Sequence, residues 1–325
     1  MSQVDACRML IGDSIPMRQL RAVIARVAAS ALPVLIEGET GAGKELVARA
    51  LHQASGRGGA LVSFNVCAIA DTMFEDALFG HVRGAYTGAV QSAPGYLAEA
   101  NGGTLFLDEI SGLPSGSQAK LLRAIETKEF RPVGANADRR SDFRVVAASN
   151  ESLASLVEAG RFRRDLSHRL GGIRLAVPAL RERAEDIPAL VHRFSAQCTV
   201  LGTEPVTFSE SALRRLQAYN WPGNVRELRY VVEAASTLAI RPMLGAEDVT
   251  PFLVAATGAP ERRAAYHDQQ LLTHLEQSAW DINEAARRLG VHRATVYRRL
   301  KRLQVETRSL SEGLVATRDV NVVAS

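Results

Sequence analysis

The residues best suited to chemistry form three groups. Gly38-Glu39-Thr40-Gly41-Ala42-Gly43-Lys44 has the G-x-x-x-x-G-K form. In that form successive backbone N–H groups wrap phosphate oxygens, and the lysine adds a cation toward the β- and γ-phosphates. Asp108-Glu109 ends the apolar run Thr104-Leu105-Phe106-Leu107. One carboxylate there can hold magnesium, directly or through water, and a second can orient and deprotonate an attacking water. We expect Asp108 in the first role and Glu109 in the second. Asn150, after the apolar run Val145-Val146-Ala147-Ala148, is placed to report on a γ-phosphate. Together these groups spell hydrolysis of a nucleoside triphosphate, with ATP and Mg2+ as the expected cofactors. Taken singly, the first group could be a glycine turn and the second a solvated acidic one. A strand, a helix and an acidic pair in the right order argue against both.

One residue departs from the general pattern. Glu45 follows Lys44, where a P-loop usually has the Ser or Thr whose hydroxyl ligates magnesium.

The positioning elements can be read from periodicity. Pro16 to Ala28 reads as a helix with Met17, Leu20, Val23, Ile24 and Val27 on one face, Pro16 suiting its first turn. Val34-Leu35-Ile36 is a short buried strand running into the glycine loop, and Glu45 to Leu51 is helical. Val62-Ser63-Phe64 is a second strand ending in Asn65, which on this reading caps the next turn. Continuous apolar runs at 104–107 and 145–148 are the pattern of parallel strands buried on both faces, whose carboxyl ends are where α/β sheets bind ligands. Ser117 to Thr127 is a helix with Leu121, Leu122 and Ile125 inward.

From Pro178 to about Leu253 the period is helical, with Ile187, Leu190, Val191 and Phe194, then Leu213, Leu216 and Tyr219. In Trp221-Pro222-Gly223-Asn224-Val225-Arg226-Glu227-Leu228, Asn224 can cap the helix that follows. Ala255 to Ala265 reads as a linker. Tyr266 to Ser278 is amphipathic through Leu271, Leu272 and Leu275, and 281–301 has the form of a helix-turn-helix. Ala286 sits where two helices would cross, Gly290 at the turn, and Leu289 and Val296 in the packing core. Positive residues are concentrated there, which suits phosphate contacts. Arg287, His292, Arg293, Thr295, Arg298, Arg299 and Lys301 are the expected contacts to double-stranded DNA. A basic helical hairpin without DNA contacts is the plainer alternative. Residues 307–325 show no strong period and are expected to form a mobile tail.

Bulk properties narrow the setting. The 325 residues suffice for about two domains and a small third. With 46% hydrophobic and 23% charged residues, the composition is that of a globular chain able to bury a large core. Cys7, Cys67 and Cys198 are scattered and odd in number, which points to a reducing compartment and away from structural zinc. No apolar run approaches the ~18 residues of a membrane span, and Met1 to Arg8 lacks a signal-peptide core. A cytoplasmic location without membrane contact is expected. The net charge of +4 is mild.

Between the two halves of the nucleotide site lies Gly84-Ala85-Tyr86-Thr87-Gly88-Ala89. It is too small and glycine-bracketed to be core and carries no catalytic side chain, so it reads as a flexible loop presenting one ring. Such a loop on a nucleotide engine suggests force or contact delivered to another macromolecule. The hexapeptide, the P-loop and Gly102-Gly103-Thr104-Leu105-Phe106-Leu107-Asp108-Glu109 together resemble the bacterial enhancer-binding proteins, AAA+ activators of sigma-54 RNA polymerase. Their signature loop reads Gly-Ala-Phe-Thr-Gly-Ala, so Tyr86 stands in place of Phe. The resemblance runs from about Leu10 to Leu303, and there Gly-Lys-Glu is the expected form of the P-loop end.

The resemblance implies an AAA+ α/β subdomain at 1–173, a helical lid at 174–254, a linker at 255–265, a Fis-type helix-turn-helix at 266–306 and a tail at 307–325. It implies that Gly38 to Glu45, Asp108, Asn150 and Arg226 bind the nucleotide, and that Asn65 holds the catalytic glutamate inactive until the γ-phosphate is sensed. Arg163 and Arg169, six apart in Gly160 to Leu170, would reach the neighbouring subunit's ATP in a ring, a hexamer in this family. A salt-bridged surface helix is the alternative for those arginines. Ser167-His168, Val66 and Ser149 differ from the family's usual residues. Phe130 to Arg140 resembles a second surface loop placed beside the first. Gly84 to Ala89 would contact sigma-54 within the RNA polymerase holoenzyme. Relatives commonly carry a regulatory domain ahead of the ATPase; its lack here leads us to expect control by expression level, a regulatory protein acting in trans, or a shortened chain. Two other readings remain at this point: a replication-initiator-like AAA+ protein, and a regulator whose nucleotide only switches its oligomeric state. The first lacks such a loop, and the second needs neither base nor finger.

Overall fold

A computed structural model of the chain describes residues 9–198 and 206–257, the positions Leu275 and Ile282, and residues 307–310 and 313–316. Two compact units are present, Met1–Val249 and Thr250–Ser325. The first opens with α1 (Ile15–Val27), capped by the Ser14 hydroxyl accepting from Met17 N, with Pro16 in its first turn. The helix thus starts one residue before the expected point. Met17, Leu20 and Ile24 are buried on its inner face, whereas Val23 is left exposed.

Five parallel strands form the central sheet in the order β2-β3-β6-β1-β7. They are β1 (Val34–Glu37), β2 (Leu61–Asn65), β3 (Thr104–Asp108), β6 (Arg144–Ser149) and β7 (Ile173–Ala176). Two-stranded ribbon β4 (Glu129–Phe130) and β5 (Arg139–Arg140) is antiparallel. Along each strand the side chains alternate between two cores. Leu35, Leu105, Leu107, Val145 and Ala147 point into one; Val34, Ile36, Phe106, Val146 and Ala148 point into the other. A sheet covered on both faces requires continuous apolar strands, which is why those runs were readable. One core is completed by α3 (Asp71–Phe79), α4 (Tyr96–Glu99), α5 (Ser115–Thr127), α6 (Leu153–Glu158) and α7 (Arg164–Leu170). The other is completed by α1 and α2 (Lys44–Ser55).

Beyond β7 the chain passes through a 3-10 segment, Leu180–Asp186, into α8 (Ile187–Gln197), α9 (Glu210–Gln217), α10 (Asn224–Thr237) and α11 (Ala246–Thr257). This helical section also holds a short parallel ribbon, β8 (Thr207–Phe208) with β9 (Met243–Leu244); two-residue strands are too short to show a period. Trp221 anchors the section. It is fully buried, donates from Nε1 to Leu216 O at 2.8 Å and meets the Tyr219 ring edge-on at 4.9 Å.

In the second unit Leu275 and Ile282 are helical and buried. Residues 307–310 and 313–316 pair as antiparallel strands β10 (Thr307–Leu310) and β11 (Gly313–Ala316), so part of the stretch read as a tail is ordered by backbone pairing, which needs no side-chain period. The seven expected DNA contacts, from Arg287 to Lys301, lie outside the described residues.

Candidate nucleotide site and the surface loop

Strand order decides what meets at the sheet's carboxyl edge. β1 runs into the glycine loop, β6 beside it ends at Ser149, and β3 beside β6 ends at Asp108. Asn65, at the end of β2, pairs in register with Asp108. The four predicted tips therefore stand in a row. A cleft of about 340 Å³ opens at the glycine loop and the β3 tip, lined by Thr40, Lys44, Asp108 and Glu109 on the sheet side and by Phe194 and Arg226 on the helical side, with Asn65 and Asn150 outside its lining.

The glycine loop has the shape of a phosphate cradle. Gly41 and Gly43 have φ of 77° and 108°, and nothing lies within 4 Å of a Cβ built on Gly43. Lys44, 6% exposed, donates from Nζ to Gly38 O at 2.9 Å and to Glu39 O at 3.3 Å. Burial pulls its ammonium below the usual lysine range, an effect opposed by the charges of Glu109 and Asp108. Asp108 is pushed upward by burial, opposed by the hydrogen bond from Glu109 N and by Lys44. A cation placed against Asp108 would offset that desolvation, so this one carboxylate suits a hard divalent ion that takes its other oxygens from phosphate and water; among the described residues no cluster of three or more metal-ligating side chains exists. Glu109 sits in the left-handed region at φ 54°, a costly conformation for a non-glycine residue and one found at functional sites.

Asn150 reaches the glycine loop, its Nδ2 standing 3.5 Å from Thr40 Oγ1, while its Oδ1 accepts from Ser111 Oγ at 3.4 Å. Asn65 caps its turn, accepting from Cys67 N at 3.0 Å; the plainer reading of this side chain describes its geometry here. Glu45 pairs with Arg49 on the exposed side of α2 at 2.7 Å. Arg163 and Arg169 are exposed on α7 and its cap, outside the lining of the cleft. Arg163 pairs with Asp165 at 2.7 Å, which holds the Asp165 carboxyl below its usual range.

Two features were not anticipated. Asn224 does not cap α10. It has φ 53°, is fully buried, and Gly223 N is instead bound by Glu227 Oε2 at 2.7 Å. The Asn224 amide turns inward: Oδ1 accepts from Leu180 N at 2.8 Å, and Nδ2 donates to Glu39 Oε2 at 3.0 Å and Thr40 O at 3.1 Å. Arg181 grips the same Glu39 carboxylate with two bonds of 2.8 and 2.5 Å. The contacts to Glu39 and Thr40 span over 140 positions of chain, and only the turn-rich Trp-Pro-Gly-Asn composition hinted at an unusual backbone.

The second feature is the surface loop, which is a closed turn. Gly84 N donates to Ala89 O at 2.9 Å and Ala89 N to Tyr86 O at 3.0 Å. Tyr86, 47% exposed, donates its hydroxyl to Asp76 Oδ2 at 3.3 Å and stands edge-on to His81 at 5.3 Å. The segment 130–140 lies alongside, Val82 N donating to Val133 O at 3.1 Å. A larger cavity of about 380 Å³ opens between α3, α5 and that segment. Its cations are already paired, Lys120 with Glu75 and both Arg123 and Arg131 with Asp138, so the smaller cleft is the better nucleotide site.

A cradle at the end of β1, carboxylates at the end of β3 and a helical lid across the cleft define a P-loop nucleotide-binding protein of the AAA+ class. The chain belongs to the sigma-54 interaction domain family, which matches residues 10–176. An AAA+ ATPase lid domain follows at 181–266 and a Fis-family bacterial regulatory domain at 269–303. Similar proteins include the C4-dicarboxylate transport transcriptional regulatory protein DctD of Rhizobium meliloti, 41% identical over 90% of this chain and 64% of that protein. The anaerobic nitric oxide reductase transcription regulator NorR of Klebsiella pneumoniae is 47% identical over 79% of this chain and 51% of its own. The chain thus spans between half and two thirds of these relatives. The crystal structure of NtrX from Brucella abortus in complex with ADP superposes with a TM-score of 0.69 at 34% identity, covering 91% of this chain and 69% of that one. RuvB of Thermotoga maritima shares the fold at 16% identity and a TM-score of 0.54, covering 95% of this chain and 93% of its own.

Among the described residues no helix is long and apolar enough to cross a membrane.

Proposed function

We propose that this protein is a sigma-54-dependent transcriptional activator: a ring-forming ATPase that binds DNA upstream of promoters and remodels the closed sigma-54 RNA polymerase complex into an open one. The observation that carries the reading is the pairing of a cleft lined by Lys44, Asp108 and Glu109 with a turn that leaves Tyr86 half-exposed on the same subdomain.

In the reaction, the glycine loop and Lys44 bind the ATP phosphates, and Arg226 meets them from the lid. Glu109 orients a water and takes its proton as that water attacks the γ-phosphorus and ADP departs. Asp108 would hold the magnesium that accompanies ATP, whose charge neutralises phosphate oxygens. Asn150 reports on the γ-phosphate. Asn65, in register with Asp108, would leave its bond to Cys67 N to restrain Glu109 until that phosphate is present. Arg163 and Arg169 point outward and so suit a neighbour's site better than their own. In a hexameric ring their delocalised charge would complete the adjacent site, with Arg163 first leaving Asp165.

Residues 1–173 and 174–254 form the ATPase and its lid, and 266–306 the DNA-binding domain. A protein that acts at promoters would work in the cytoplasm. Hydrolysis drives Tyr86-Thr87 against sigma-54. Purified protein should capture sigma-54 with a transition-state mimic of ATP and not without nucleotide. Replacing Thr87 by Ala should abolish capture and spare ATP turnover. Absence of capture by a protein with intact ATPase activity would overturn the reading in favour of another AAA+ role.

A further inference from the structure

The helical section grips the glycine loop through its backbone carbonyls. Asn224 Nδ2 holds Thr40 O at 3.1 Å, Arg226 N holds Gly41 O at 3.3 Å, and Arg183 Nη2 holds Ala42 O at 2.8 Å. Three successive carbonyls of the cradle are thereby fixed by residues more than 140 positions away. The contact is tight: a Cβ on Gly41 would lie 2.3 Å from Gly223 O and 3.0 Å from the Arg226 Cβ. Arg183 is 4% exposed and is steadied on its other side by Met17 Sδ at 2.9 Å.

In a trans peptide the C=O of one residue and the N–H of the next point in opposite directions, and the described residues contain no cis bond. Anchoring Thr40 O on Asn224 and Ala42 O on Arg183 therefore aims the N–H groups of Gly41 and Gly43 away from those two side chains. Neither glycine could hold that orientation alone, since glycine has the widest choice of backbone angles.

We propose that Asn224 and Arg183 are positioning residues for the nucleotide, fixing the glycine-loop peptides so that the Gly41 and Gly43 N–H groups face the phosphates. They touch the loop and not the ligand. The arrangement also makes the lid and the loop one mechanical unit, so nucleotide binding and lid position bias each other reciprocally. The proposal rests on the ATP-binding part of the function above.

The test is titration of the full chain with a fluorescent non-hydrolysable ATP analogue, alongside steady-state kinetics and thermal melting. Arg183→Met should weaken analogue binding about tenfold or more, the size expected for one charge-assisted hydrogen bond. The same variant should raise KM in step and leave kcat within about threefold. Arg183→Lys, which keeps a donor, should recover most of the affinity. A lowered Tm with wild-type affinity would make Arg183 a packing residue and overturn the proposal. Hydrogen exchange on the wild-type protein needs no variant to fold: the Leu180 and Arg226 amides should gain protection when the analogue binds, and unchanged exchange there would equally overturn it. Wild-type protein that bound no ATP would overturn the nucleotide site itself, whereas binding with an indifferent Arg183→Met would overturn this proposal alone.

Discussion

Two glycine loops in one subdomain are built for opposite ends. In the phosphate loop, glycine at position 41 answers a shortage of space, because the lid backbone passes within 2.3 Å of where a Cβ would sit. In the surface loop, Gly84 and Gly88 have φ of 81° and 105° with nothing within 4 Å of a Cβ, so glycine there answers only the backbone angle. The first loop is held at every carbonyl from Thr40 to Ala42 by distant side chains and backbone. The second closes on itself and rests on α3 through one tyrosine hydroxyl. Glycine thus serves a fixed cradle in one place and a self-contained, exposed turn in the other. A cradle must be preorganised to stabilise charge as it develops, whereas a contacting arm must be free to leave its resting place.

The comparison is broken most decisively at the cradle's catalytic edge. Glu109→Gln should lower ATP turnover by about 10²–10⁴-fold, the usual contribution of a positioned general base, while analogue binding stays near wild type. Turnover left intact would remove Glu109 from the role of base and leave the row of strand tips without one. Next in size is a paired glycine replacement. Gly41→Ala should weaken ATP binding about tenfold or more, because the methyl must displace lid backbone. Gly88→Ala should cost about 1–2 kcal/mol of folding stability from backbone strain and leave ATP binding unaltered. Equal losses of ATP affinity in the two variants would mean that the loops are not mechanically distinct. Smaller still is Tyr86→Phe. It removes an exposed bond of 3.3 Å, worth at most about 1 kcal/mol, and keeps the ring's apolar area. Sigma-54 capture should change by less than about twofold; a large change would assign the hydroxyl, and with it Asp76, a part in partner binding.

Legibility in the sequence followed the range of the interaction. β1, β3 and β6 were readable because burial on two faces leaves a continuous apolar run, β2 is an edge strand whose run is broken by the exposed Ser63, and the placement of Lys44, Asp108, Glu109 and Asn150 at one edge follows once those strands are parallel. β8 with β9 escaped because two residues have no period. Asn224 was misread for a physical reason: an Asn ahead of a helical run is most often a cap, and only its positive φ and full burial turn the amide toward Glu39 and Thr40. The grip of Arg181 and Arg183 on the glycine loop was likewise illegible, since both lie in an Arg-Glu-Arg run that reads as a solvated surface. Tyr86 was read as a ring presented by a flexible loop; its partner Asp76 lies on α3, which no motif had marked.

The smallest expected effect concerns the exposed end of the clamp. Two hydrogen bonds from Arg181, then one from Asn224, hold the Glu39 carboxyl at about 2 against an ordinary 4.5. The folded state therefore binds the proton less readily than the unfolded chain does. The stabilisation from the charged carboxylate is complete above pH 4.5 and is lost progressively as pH falls toward 2. With 44% of each side chain exposed in the Glu39–Arg181 pair, solvent screening should hold the effect below about 1 kcal/mol. Glu39→Gln removes the charge at every pH. The difference in urea midpoint between wild type and Glu39→Gln should hence be constant from pH 7 to about pH 5 and shrink below that, and added salt should reduce it. A difference that stayed constant to pH 3 would show that Asn224, which can bond a glutamine equally well, holds the loop without help from the ion pair. In that case the clamp is buried and neutral at its centre, and the contrast with the exposed tyrosine contact of the surface loop becomes sharper.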